Sequence, residues 1–440
     1  MRDLFILGMV VAALPYAVRF TWAAVLLWTW ISIMNPHKLA YGFAYGAPFA
    51  AVAAGAAAIS LLFNRDRFKL PSSPIVVVLI LFVLWMCVTT YFAYFPESSW
   101  NQLNKVLKIQ LMTLIAMVAL RERKHIEYFI WVNVLSIGFY GFKGGIFTIS
   151  TGGSSRVWGP SGGFIEGNNE IALAMIMSIP LMNYLRMVSP HKYVRLGLLV
   201  MMVLSVIAAI GTQSRGAFLA ISGMGILLWA RSDRKLVTGL VVAAVAVAVI
   251  NFMPESWTMR MNTIQTYDED GSALGRINAW WMAFNLANSR FLGGGFEIYT
   301  ASVFALYAPI PDDIKVAHSI YFSVLGEHGY VGLILFLSLG WLAFRTTKRI
   351  RKQTEKHNET QWVNQLAAMC QVSLVGYAVG GAFLSLAYFD LPYNILIILV
   401  VSLRWLQEKK WRTESQGAFG SGTPVGAIRL QTVPTKSVQT

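Results

Sequence analysis

AHSIYFSVLGEHGYVGLILFLSLGWLAF, residues 317–344, is where two kinds of sequence meet. Before it, from Met253 to Ser319, runs a polar stretch that holds GRINAWWMA (275–283) and LGGGFEIY (292–299). From Ile320 to about residue 345 the chain stays apolar, a run of at least the roughly 20 residues that cross a bilayer as a helix. Similar runs recur at 43–63, 74–93, 103–120, 128–149, 171–188, 196–213, 216–231, 236–252, 364–387 and 391–407. Residues 3–34 hold two shorter apolar segments divided around Pro15 and Arg19. The reading is an all-α, polytopic helical membrane protein of about 12 transmembrane helices, with one large loop at 253–319.

Composition agrees. Of 440 residues 56% are hydrophobic and 13% charged, against about 25% charged in soluble domains. Cys87 and Cys370 both lie in apolar runs and read as small packed residues. The first apolar segment lacks a small-residue cleavage site and reads as retained. From Thr413 to Thr440 the chain is rich in Gly, Ser, Thr and Pro and reads as a disordered tail behind a single 1–412 transmembrane domain.

The net charge of +15 does not imply nucleic acid. The cations cluster in every second loop, at Arg65/Arg67/Lys69, Arg121/Arg123/Lys124, Lys192/Arg195, Arg231/Arg234/Lys235 and Arg345/Lys348/Arg349/Arg351/Lys352. That alternation is the positive-inside pattern. It assigns these loops to the cytoplasm and the loops at 94–102, 150–169, 214–215, 253–319 and near Asp390 to the opposite side. Arg2 and Arg19 both favour the cytoplasm, so the first segment is expected to dip without crossing, with both termini inside.

Cations on the other side need a separate reason. Arg156 lies in TGGSSRVWGPSGG, Arg215 in TQSRGAF, and Arg260, Arg276 and Arg290 in the large loop. An arginine at a membrane edge can simply snorkel to headgroups. A turn as tight as that at Arg215 needs no cation, and an aromatic helix over 274–287 would pin Arg276 at the interface. Guanidinium groups converging at a bilayer surface suit phosphate or diphosphate, which they bind bidentately. Lys105 and Lys108 can add to that field from an outer helix end. Among the six histidines, His318 stands where the large loop re-enters the bilayer. There it suits a general base for a sugar hydroxyl; His328, ten residues on, reads as packing. Asp268-Glu269-Asp270 reads as a solvated turn, so no metal and no cofactor are expected, and no Walker loop, GxGxxG, CxxC or Ser-His-Asp order occurs.

With AHSIYFSVLGEHGYVGL (317–333), SRGAF, GRINAWWMA and GGGF in that order, the chain resembles the O-antigen ligase/polymerase superfamily. The likeness is greatest to lipopolysaccharide O-antigen ligases, with O-glycosylation ligases near. The resemblance implies a GT-C-like, metal-independent, inverting glycosyltransferase of the bacterial inner membrane, with its active site facing the periplasm. Its substrates would be undecaprenyl-diphosphate-linked O-antigen and a sugar hydroxyl of lipid A–core, both in contact with membrane lipids. By position, His318 matches the family's catalytic histidine, Arg215 and Arg276 its diphosphate-holding arginines, and Arg156 a looser donor contact. An O-antigen polymerase or a protein O-oligosaccharyltransferase shares these features. A lipid-linked glycan transporter would instead show charges deep in its spans and internal repeats, of which the sequence shows little.

Overall fold

The computed structural model describes residues 1–63, 69–231, 271–355 and 357–412, with isolated positions between 235 and 257. The expected span at 236–252 (almost all of it), Arg260, the Asp268–Asp270 run and the tail from 413 lie outside the described residues. The helices are α1 (Arg2–Arg19), α2 (Thr21–Met34), α3 (Phe49–Phe63), α4 (Pro74–Tyr91), α5 (Pro96–Ala119), α6 (Arg123–Ser150) and α7 (Asn168–Val188). They continue as α8 (Lys192–Gly211), α9 (Arg215–Arg231), α10 (Gly271–Ser289), α11 (Ala301–Tyr307), α12 (Ile320–Thr354), α13 (Gln361–Gly381) and α14 (Asp390–Gln407). No strand occurs among the described residues.

Five of these helices, α4, α6, α7, α8 and α12, are long and apolar enough to cross a membrane, and α2, α3 and part of α9 are shorter apolar helices. The protein is a helical membrane protein. The helices that fail the test are more polar for a physical reason, seen best in α14. Every residue of it from Asp390 to Leu406 is buried, so it meets other helices rather than lipid and can carry polar groups if they are paired. Ser32 donates to the Asp390 carboxylate at 2.6 Å, Asn394 to the Asn133 side-chain oxygen at 2.8 Å, and Arg404 to the Met117 carbonyl at 2.8 Å.

The connections fall on two faces. On one, Arg404 and Lys410 reach the carbonyls of Leu120 and Arg121, Trp22 stacks on His125 and Arg123 lies over Trp362. This face carries the basic clusters that are described. On the other, Tyr45 meets Ser161, Asn168 donates to Thr212, and the Tyr94 amide donates to the Gly294 carbonyl.

The N-terminus departs from expectation. The break falls at Phe20, in extended backbone, and Pro15 is inside α1. Arg2 donates to Leu39 and the Asp3 carboxylate accepts from the amides of Gly42 and Ala44, which follow the far end of α2. α1 therefore runs antiparallel to α2 over its whole 18 residues, about 27 Å at 1.5 Å per residue. It does not dip and return, and Arg2 is on the face opposite the basic clusters. Two isolated cations were too weak a signal against the capping of a loop by Asp3.

α12 is bent inside. Gly329 has φ +65 and ψ −171, which frees the carbonyls before it from their helical partners. The glycine loop expected to end the aromatic helix fills that gap. The Gly294 amide donates to Gly326 and the Gly295 amide to Glu327, both at 2.9 Å. A Cβ on Gly329 would meet the Phe291 carbonyl at 2.3 Å, and one on Gly293 the Gly329 amide at 2.6 Å. LGGGF and EHG are two halves of one joint.

Candidate active site

α10 forms where the aromatic spacing predicts a helix, and it organises the loop that follows. Asn278 donates to the carbonyls of Ile310 and Asp313 at 2.8 and 3.0 Å and accepts from the Ile310 amide at 2.9 Å. Asn285 donates to the Tyr307 carbonyl. The Trp280 indole donates to the Ala317 carbonyl at 2.7 Å and stacks on Phe322 with ring centres 5.0 Å apart. Residues four apart on a helix share a face. Anchoring Trp280 beside residue 317 therefore places Arg276, one turn earlier, on the His318 side. The arginine's charge acts on His318.

His318 itself has φ +44, the left-handed region that costs a residue with a Cβ roughly 1–2 kcal/mol. Its neighbours Ala317 and Ser319 are buried and fix it from both sides. Its Nδ1 is 4.0 Å from the Glu170 carboxylate at the first turn of α7. Burial first, and the nearby Arg276 charge second, lower the imidazole to about 4. The ring is neutral at pH 7. With Nδ1 toward Glu170, Nε2 is the nitrogen left to take a proton.

A second group gathers around the turn before α9. Gln213, with φ +55, accepts from Arg156 Nε at 3.2 Å and donates to the Gly153 carbonyl at 3.0 Å. The Ser214 hydroxyl caps α9 by accepting from the Ala217 amide at 3.1 Å, and Arg215 is that helix's first residue. Helix starts with free amides favour anions. The two groups are joined twice. Asn168, two residues before Glu170, donates to the Thr212 carbonyl at 2.8 Å. Phe383 lies 6.4 Å from the Trp280 ring and against Gly216, the residue after Arg215.

All four expected residues, His318, Arg276, Arg215 and Arg156, thus stand on one face in two linked groups. Arg290 does not join them: it donates to the Phe92 carbonyl and lies over the Tyr94 ring at 4.3 Å. Lys105 and Lys108 are exposed and well inside α5, which begins at Pro96 rather than at 103. His328 is packed as expected, with Nδ1 2.7 Å from the Thr89 hydroxyl and Phe296 and Tyr388 edge-on around it. Glu170, Gln213 and Trp280 are not among the expected site residues. Two of them carry a sequence signal: Glu170 is an acid opening an apolar run, and Trp280 belongs to the aromatic helix of GRINAWWMA, though as an interface residue.

The family described as O-Antigen ligase matches residues 200–337, the segment holding Arg215, Arg276 and His318. A family of unknown function matches residues 1–190, the segment holding Arg156 and Glu170. No curated protein matches the chain.

Proposed function

We propose that this chain, whose residues 200–337 match the family described as O-Antigen ligase, is an O-antigen ligase. It transfers O-antigen from undecaprenyl diphosphate to a sugar hydroxyl of lipid A–core, completing lipopolysaccharide at the periplasmic side of the inner membrane. The observation that carries this reading is His318, held in a left-handed backbone conformation, neutral, beside Glu170 and Arg276. The face assignment rests on the basic clusters of the opposite face.

In the reaction the acceptor oxygen attacks the anomeric carbon as the bond from that carbon to the diphosphate oxygen breaks. The acceptor proton passes to His318 Nε2, and the bonding electrons leave with the diphosphate. Arg215 and Arg276, with Arg156 behind Gln213, balance the leaving charge. Fixed guanidinium groups in a poorly solvated cleft do this without reorganising. Glu170 orients the imidazole and steadies the imidazolium; its 4.0 Å separation closes to a hydrogen bond when the site fills, since such contacts are often long without substrate. The donor's negative charge also offsets Arg276, which restores some basicity to His318. Direct displacement inverts the anomeric configuration. Both segments of the chain contribute, so the catalytic unit is the single 1–412 domain.

The test is transfer in proteoliposomes from lipid-linked O-antigen, with lipid A–core or a pilin-like protein as acceptor. Transfer to lipid A–core with inversion, lost by about 10²–10⁴ in His318→Ala, is expected. Retention of configuration, or transfer only to protein or to a second lipid-linked glycan, overturns the ligase assignment.

A further inference from the structure

A membrane-facing groove lies at the N-terminal end of the fold. α1 and α6 each pack on α2, while α1 and α6 are not among the closely packed pairs. Between them α2 forms the floor of a valley of about 680 Å³. Each helix supplies residues at i and i+4, which share a face: Phe5 and Met9 from α1, Trp30 and Met34 from α2, Phe139 and Lys143 from α6. The walls are apolar except for Arg2 and Lys143.

Lys143 is an exposed cation inside a helix long and apolar enough to span the bilayer, seven residues before its end at Ser150. That is about 10 Å below the helix end. α6, at 28 residues, is about 42 Å long and exceeds the roughly 30 Å hydrocarbon core, so Lys143 stands near the headgroup boundary, where an apolar wall meets anions. Its four-carbon stem lets it rise toward the end of α2, where Arg2 is held by its bond to the Leu39 carbonyl. Among the described residues no carboxylate lies within ion-pair distance of either cation. The one acid nearby, Asp3, is already committed to the amides of Gly42 and Ala44.

We propose that this groove binds one anionic glycerophospholipid of the leaflet on the His318 side, its phosphate between Arg2 and Lys143 and an acyl chain along Phe5, Met9, Trp30 and Phe139. An anionic and a zwitterionic lipid each bring one phosphate charge, but the two cations repel the zwitterionic lipid's ammonium and so favour the anionic lipid. The lipid fills the cleft between α1 and α6. It thereby fastens α1, which among the described residues packs chiefly on α2 and α3. The proposal stands apart from the transferase reading, since neither cation belongs to the site around His318.

The experiment is native mass spectrometry of the full chain released from bicelles of phosphatidylglycerol and phosphatidylcholine. The wild type is expected to keep one phosphatidylglycerol in roughly tenfold preference, the order of one hydrogen bond to a charged group. Arg2→Gln with Lys143→Gln is expected to remove the preference, and Lys143→Arg to keep it. Met9→Trp fills the groove without touching charge and is expected to lose both lipids while the protein elutes normally. Equal retention of the two lipids by the wild type, or an unchanged preference in the double Gln variant, overturns the proposal. Selective displacement by undecaprenyl phosphate also overturns it, by assigning the groove to the lipid carrier. So does displacement by millimolar inorganic phosphate alone, which would show that the apolar walls play no part.

Discussion

Trp280→Phe isolates what the tertiary structure adds to His318. Phenylalanine keeps an aromatic ring to stack on Phe322, gives up part of the indole's bulk, and removes the N–H that reaches the Ala317 carbonyl at 2.7 Å. Ala317 is fully buried, so its carbonyl loses a partner at a cost of about 1–3 kcal/mol. The next residue, His318, is held at φ +44 against a preference of roughly 1–2 kcal/mol for ordinary backbone. The two terms are of similar size, so without the indole the 317–318 peptide relaxes and carries the imidazole away from Glu170. A shift of about 1–2 kcal/mol lowers the population of the competent arrangement roughly 5–30-fold. We expect kcat/KM for glycan transfer to fall by that factor, with expression retained and the thermal midpoint lowered by only a few degrees, because an aromatic stack is retained. Trp280→Ala is expected to lose stability as well. Wild-type kcat/KM in Trp280→Phe, or a loss matched by the loss of folded protein, would refute the reasoning.

Arg215→Lys and Arg276→Lys should each lose at least tenfold in transfer, because an ammonium cannot reproduce the bidentate fork; full activity in either would leave only a general field effect. The acid limb of kcat/KM should lie near pH 4, where His318 titrates. The reactive neutral ring is present above that pH and lost below it. Arg276→Gln removes a charge that lowers His318, so its residual activity should show the limb at higher pH, and an unmoved limb would show that another group titrates. Glu170→Gln should reduce kcat more than it raises KM, measured against the same donor series. Gly329→Ala places a Cβ 2.3 Å from the Phe291 carbonyl at φ +65 and should lower the thermal midpoint and yield sharply, whereas Gly340→Ala, with open space around it, should not. Transfer should survive EDTA; loss with chelator and recovery with one divalent cation would return Asp268, Glu269 and Asp270 to the site.

The local sequence carried most of the architecture. Apolar runs and alternating basic loops determine helices and their direction, because lipid solvates neither backbone amides nor charge. They placed α10 within a few residues, the turn before α9, and His318 at the mouth of α12. Hydropathy also ranks lipid contact, and there its reach ended. α14 is enclosed by other helices, so its Asp390 and Arg404 are tolerated through partners contributed from α2 and the end of α5, 284 to 358 residues away in sequence. The direction of α1 depended on Asp3 finding two amides of a distant loop, a contact that no window of sequence contains. The site divides the same way. Residue types and order singled out His318, Arg215, Arg276 and Arg156, since their charge and chemistry are local properties. That Glu170 meets His318, that Trp280 turns Arg276 toward it, and that LGGGF closes the break at Gly329 are matters of packing between segments far apart in the chain. Only the folded structure brings those segments together, and no single segment encodes the geometry they share.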